Sequence, residues 1–181
     1  MNIGLLGCGV VGGGVVDFCR ERKDLAVHRV LVRREREDLG ELASMDAAAI
    51  FSDPAIDIVV EVMGGLHPAY EYICAALQAG KHVVTANKAV ISAFYPKLTA
   101  LAKEHGVSLR CTAAVGGGIP WLTNLERCKR LDTVCELGGI MNGTSNFIMD
   151  AMHASPVSFP AILKQAQELG YAEADPSADI D

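Results

Sequence analysis

The sequence predicts an α/β fold: a parallel sheet with crossover helices, followed by the incomplete start of an α+β domain. Three observations carry this. Apolar runs of strand length alternate with helical stretches up to about residue 113, and parallel neighbours need such crossovers. A glycine-rich turn, Gly7-Cys8-Gly9-Val10-Val11-Gly12, separates the first run from the first helical stretch. The pattern then changes at Gly116-Gly117-Gly118-Ile119-Pro120.

Residues 2–6 are an apolar run bounded by glycine, a first strand, and 12–20 carry helical periodicity. A second strand is expected over 27–32, then a polar, Asp-punctuated stretch holding one short helix at about 39–49. Ile-Asp-Ile-Val-Val-Glu-Val, residues 56–62, makes a third strand that ends at Gly64-Gly65. Pro68 opens a helix to residue 79 and Gly80 closes it. A strand over 82–86, a helix over 92–105 with Pro96 in its first turn and a strand over 108–113 complete the alternation. Beyond the junction at 113–120 the pattern predicts a helical stretch at 121–129, a strand at 133–141 and a helix at 146–152. A last helix has Ser158 as N-cap, Pro160 in its first turn and Gly170 just past its end. The domains are placed at 1–115 and 116–181. The second, with one convincing strand, cannot make an independent sheet.

Composition narrows the function classes. Half of the 181 residues are hydrophobic and the mean hydropathy is +0.25, which suits a buried core rather than disorder. The net charge is −6, with no basic block beyond Arg33-Arg34-Glu35-Arg36, so no nucleic-acid partner is expected. No apolar stretch approaches a membrane span. The start, Met1-Asn2-Ile3-Gly4, reads as a strand rather than a signal peptide. Cys8, Cys19, Cys74, Cys111, Cys128 and Cys135 form no C-x-x-C pair. They read as small buried hydrophobes in a reducing, cytoplasmic setting rather than as disulfides or zinc ligands.

The run at residue 7 matches G-x-G-x-x-G after a strand and at a helix start, the Rossmann-type arrangement for a dinucleotide. Gly7 allows the tight turn, Gly9 lets backbone approach a pyrophosphate, and Gly12 lets helix and strand pack closely. The N–H groups of the helix start, at Val10 and Val11, face the phosphates. A purely structural glycine turn is the alternative. About 20 residues on, where an acidic residue would take a ribose 2′-hydroxyl, the chain has Arg33-Arg34. Guanidinium groups pair with phosphate, so NADP is expected over NAD. A solvated basic turn is the alternative, and the neighbouring Glu35 leaves use of both cofactors open. Gly64, just past the third strand, joins the cofactor-binding set.

Thr85-Ala86-Asn87-Lys88 follows a strand at its carboxyl end, where ligands of open α/β sheets collect. Lys88 there can hold a carboxylate or polarise a carbonyl, the alternative being a surface lysine at a helix start. Asn142-Gly143-Thr144-Ser145-Asn146 joins an expected strand to a helix and groups amide, hydroxyl and backbone N–H. A helix cap by Thr144 or Ser145 is expected as well, and its match to a glycosylation acceptor is accidental. Glu173 stands beyond the Gly170 helix stop, with Asp175, Asp179 and Asp181 following. It is a candidate for binding an ammonium group.

Taken together, these motifs resemble the homoserine dehydrogenase family over the whole chain. The resemblance implies interconversion of L-homoserine and L-aspartate 4-semialdehyde with NAD(P), on the route to threonine and methionine. It implies cofactor binding by Gly7, Gly9, Val10, Val11, Gly12, Arg33 and Gly170, and a place for Lys88 near nicotinamide and substrate. It also implies that Glu173 binds the substrate amine, with Asn142, Gly143 and Thr144 in the substrate-binding stretch. Two departures stand out. The family often has a glutamate in E-A-x-V-x-G-G-I-P, beside carbonyls that hold a monovalent cation such as sodium. Here Thr112 stands in its place, leaving the carbonyls of Val115, Gly117 and Ile119. The family's catalytic aspartate and lysine, and most of its dimerisation sheet, are expected beyond Asp181. The expectation is therefore a piece of a longer homodimeric enzyme, inactive by itself. The rival readings are an oxidoreductase of the glucose–fructose oxidoreductase-like type, which shares Gly80-Lys81-His82-Val83, and a non-catalytic NADP-binding module.

Overall fold

The computed structural model describes residues 1–172 and Pro176. They fall into two compact units that divide between Thr123 and Asn124. The first unit is built on six parallel strands: β1 (Asn2–Leu6), β2 (Ala26–Leu31), β3 (Ala43–Ser44), β4 (Ile58–Glu61), β5 (His82–Thr85) and β6 (Leu109–Arg110). Their order across the sheet is β3-β2-β1-β4-β5-β6. The direction reverses beside β1, so a crevice opens at the carboxyl ends of β1, β2 and β4, where such sheets bind ligands.

Helices α1 (Val10–Arg20), α2 (Ala48–Phe51), α3 (Ala69–Gln78) and α4 (Lys88–Glu104) carry the crossovers. Two apolar clusters fill the unit. One joins Leu6, Ile50, Val59, Ile73, Leu77, Val83 and Leu98; the other joins Ile3, Leu5, Val16, Val30 and Val60. The strands read as continuous Ile/Val/Leu runs because they contribute to both clusters. The turn from α3 into β5 is fixed by Gly80 at φ 73° and by Lys81. The buried Lys81 ammonium donates to the carbonyls of Asp53 at 2.7 Å and Ile56 at 2.8 Å.

Several elements depart from the sequence expectation. The helix expected at 39–49 is instead a 3₁₀ segment (Glu37–Leu42), the short β3 and the single turn α2. Gly40 sits at φ 52° and breaks the helical path. Asp46 accepts the Ala48 N–H at 2.9 Å, a local bond that competes with a continuous helix. Helix α4 begins at Lys88 rather than 92 because the Asn87 side chain caps it, accepting the Val90 N–H. Pro96 therefore lies inside the helix, not in its first turn. Pro96 and Ser92, four residues back, are both exposed, so water can satisfy the freed carbonyl.

The helix α5 (Trp121–Leu131) crosses the boundary between the units and buries none of its residues. In the second unit, α6 (Gly143–Ala154) and α7 (Phe159–Glu168) pack on one another through Ile148, Ile162 and Ala166. The strand expected at 133–141 does not form: these residues are irregular and exposed. A strand is stabilised by its neighbour's ladder, and the described residues of this unit include no other strand. No helix among the described residues is long and apolar enough to cross a membrane.

Candidate functional site

The glycine turn sits at the reversal point of the sheet. Gly7 adopts φ 94°, open to glycine and strained for other residues. A Cβ on Gly12 would collide with the Gly7 carbonyl oxygen, so the first turn of α1 can lie this close to β1 only as glycine. A Cβ on Gly9 would meet nothing within 4 Å, which leaves the middle of the turn open to an incoming group. Val10 and Val11 are exposed on the first turn of α1, 91% and 58%. A helix start leaves its first N–H groups without intrahelical partners and carries partial positive charge. This cradle fits a pyrophosphate.

In front of the turn lies a cleft of about 650 Å³, lined by Gly7 to Gly9, Val32 to Arg34, Arg36, Met45, Val62 to Gly64 and His67, among others. The structure thus brings the glycine turn, Arg33, Arg34 and Gly64 to one cavity. Both arginines are exposed. Arg36 has a different task. Its Nη1 donates to the Cys8 carbonyl at 3.1 Å while Nε and Nη2 grip Asp38 at 2.8 and 2.7 Å. That carboxylate raises the Arg36 pKa above its ordinary value, first by hydrogen bonding. Arg36 ties the glycine turn to the segment after β2, a role the sequence reading did not assign.

Beyond the glycine turn, three buried polar side chains join the ends of β4 and β5. Glu61 is fully buried. It accepts the Thr85 hydroxyl at 2.6 Å, the Met63 N–H at 2.8 Å and the Asn87 amide at 3.4 Å. The Asn87 amide also donates to the Gly65 carbonyl at 2.7 Å. Gly64 and Gly65 sit at φ 77° and 72°, which lets the chain turn back past β4. Lys88 follows Asn87 as the exposed first residue of α4 and is not among the residues lining the cleft. At the cleft wall, His67 Nδ1 lies 2.6 Å from Glu71, and behind it the Tyr70 and Phe94 rings pack tilted with centroids 4.0 Å apart.

In the second unit, Asn142 caps α6, accepting the Ser145 N–H at 2.9 Å. The cap expected at Thr144 or Ser145 is thus provided by Asn142, whose backbone is extended as an N-cap requires. Thr144 is 3% exposed and donates its hydroxyl to the Tyr171 carbonyl at 2.6 Å. Its hydroxyl is therefore engaged in holding the end of α7 to α6, while Gly143 is exposed. Gly170, at φ 79°, ends α7. Its N–H reaches Gln167 and that of Tyr171 reaches Ala166, the paired bonds of a Schellman stop. Glu173, Asp175, Asp179 and Asp181 lie outside the described residues.

The turn at 115–119 uses two of its carbonyls in local hydrogen bonds. The Ile119 carbonyl accepts the Trp121 N–H at 2.7 Å and that of Gly116 accepts the Ile119 N–H. No cluster of His, Cys, Asp or Glu suited to a metal exists among the described residues. Val115 is half-buried, and Gly117 and Ile119 are exposed.

Two family models match the chain. Residues 7–112 match the homoserine dehydrogenase NAD-binding domain and 120–181 match homoserine dehydrogenase. The chain belongs to the homoserine dehydrogenase family. It is 43% identical to a homoserine dehydrogenase of Synechocystis and 37% identical to that of Bacillus subtilis, with all of this chain and 45% of each relative covered. A solved homoserine dehydrogenase from Thiobacillus denitrificans is 39% identical with a TM-score of 0.87, again over the whole chain and 45% of that protein. The chain therefore spans less than half the length of these relatives. Matches on both sides of the 113–120 junction do not favour a glucose–fructose oxidoreductase-like reading.

Proposed function

We propose that this chain provides the cofactor-binding part, and the beginning of the substrate-binding part, of a homoserine dehydrogenase. The reaction is NAD(P)-dependent interconversion of L-homoserine and L-aspartate 4-semialdehyde. Domain limits of 1–115 and 116–181 suit the interval between the two matched models. The observation that carries the reading is the single cleft shared by the open glycine turn, Arg33, Arg34 and Gly64. The bound nicotinamide would exchange the hydride. Gly7, Gly9, Val10, Val11 and Gly12 would seat the pyrophosphate, and the two arginines would take a 2′-phosphate. Lys88 would hold or polarise the substrate beside β5, while Asn142, Gly143, Glu173 and Gly170 would meet substrate and cofactor. A monovalent cation such as sodium on the 115–119 carbonyls enters no step of this proposal. A homodimer and a cytoplasmic location accompany it, the latter consistent with six free cysteines.

NADPH is then expected to bind more tightly than NADH. A charge-assisted phosphate contact contributes about 1.5–3 kcal/mol, so Arg33→Ala with Arg34→Ala should lower NADPH affinity by that amount and leave NADH nearly unchanged. Fluorescence titration measures both. Equal affinities, unmoved by the double substitution, would overturn the preference for NADP.

A further inference from the structure

We infer that Glu61 is a positioning residue for the nicotinamide half of the cofactor, acting through Met63, Thr85 and Asn87. The inference rests on the reading of the cleft as a nicotinamide-cofactor site and goes beyond it. In a sheet of this order the glycine turn takes the pyrophosphate, and the segment after β2 takes the adenosine ribose. The other half of the dinucleotide must then cross to the β4 side, where Met63 and Gly64 line the cleft. On that side Met63, Thr85 and Asn87 are tied to one carboxylate. Glu61 Oε1 holds the Met63 N–H, which starts the double-glycine turn. Glu61 Oε2 takes the Thr85 hydroxyl, and that oxygen in turn accepts the Asn87 N–H at 3.0 Å. Asn87 spans from Glu61 to the Gly65 carbonyl and caps the helix whose first residue is Lys88.

The donor pattern is self-consistent. In its bonds with Met63, Thr85 and Asn87 the Glu61 carboxylate is the acceptor, and no salt-bridge partner for it appears among the described residues. A buried carboxylate is costly unless its donors are in place, and a network with every member satisfied holds those donors in one geometry. A glutamine keeps one oxygen for the Met63 N–H but turns an amide N–H toward Thr85, so the hydroxyl loses the acceptor of its own proton. Gly64 and Gly65 have the widest conformational freedom of any residues. Their turn therefore depends on these bonds more than a side-chain-bearing loop would.

The test compares Glu61→Gln, Thr85→Val and Thr85→Ser in the full chain with two probes, NADPH and adenosine 2′,5′-bisphosphate, which lacks the nicotinamide half. Glu61→Gln and Thr85→Val should weaken NADPH on the order of tenfold and leave the bisphosphate within about twofold. Thr85→Ser, which keeps the hydroxyl, should behave as the parent does. Amide hydrogen exchange should rise at Met63–Gly65 and the first turn of α4, with β1 and β2 unchanged. Equal weakening of both probes, or faster exchange across the whole sheet, would show Glu61 to be a general stabiliser and overturn the inference. Unchanged affinities and exchange would overturn it as well. If the parent chain binds neither probe, the cofactor reading falls. The local exchange result then decides by itself whether Glu61 positions this turn.

Discussion

The two units of this chain bury apolar residues to very different degrees. Between Met1 and Thr123, Leu5, Leu6, Ile50, Ile73, Leu77, Val83 and Leu98 are all fully buried, and six strands satisfy one another's backbones. In the unit from Asn124, the buried described residues are Thr144, Ile148, Ile162, Ala166 and Ala172, while Leu131, Leu137, Ile140, Met141 and Met149 are more than half exposed. Hydrophobic composition is thus no guide to burial. A strand-like sequence needs a ladder to join, and a helix face needs a surface of comparable size.

That contrast can be broken by substitution, and the largest effect should come from the sheet. Leu5→Ala or Ile73→Ala removes a fully buried side chain and should destabilise the first unit by about 2–5 kcal/mol. Leu137→Ala, at an exposed position, should change stability by no more than about 0.5 kcal/mol. Urea unfolding followed by circular dichroism measures both, and similar losses at Leu5 and Leu137 would mean that residue 137 is buried in solution. Next in size is the part-buried bond from the Thr144 hydroxyl of α6 to the turn that ends α7. Thr144→Val leaves the Tyr171 carbonyl without that donor and should cost about 1–3 kcal/mol. The loss should appear as faster hydrogen exchange through α6 and α7 and not in the sheet. Uniform acceleration in both units would show that they unfold together.

The smallest effect belongs to the rim of the first unit. Arg22 grips Asp24 with two bonds of 2.8 Å and holds its carboxyl at about 2, first through hydrogen bonding. A carboxyl depressed on folding adds stability above its unfolded value near ~3.9. That contribution is lost as pH falls from there toward 2. Both groups are exposed, so the contribution is small and screened by salt. In Arg22→Ala, the Asp24 midpoint followed by NMR should rise toward the ordinary range. A midpoint that does not move would assign the shift to the backbone around Asp24 instead.

Local sequence decided a good deal of this molecule. Alternating Val/Ile runs, Gly80 behind α3, Gly170 behind α7 and the G-x-G-x-x-G turn act within a few residues through backbone sterics and helix-end bonding, and all were readable as such. Arg33, Arg34 and Gly64 were readable as a set because sheet topology follows from the alternation. Other features depended on partners distant in sequence. Nothing near Glu61 in the sequence announces Thr85 and Asn87 as its partners, and nothing near Arg36 announces Cys8. Residues 133–141 have the composition of a strand and lack a neighbouring one among the described residues. Thr144 read as a ligand or a cap, whereas its hydroxyl meets the Tyr171 carbonyl 27 positions away. Periodicity and turn chemistry are written into neighbouring residues. Which buried polar group meets which partner, and whether a strand finds a ladder, is settled only when the chain closes on itself.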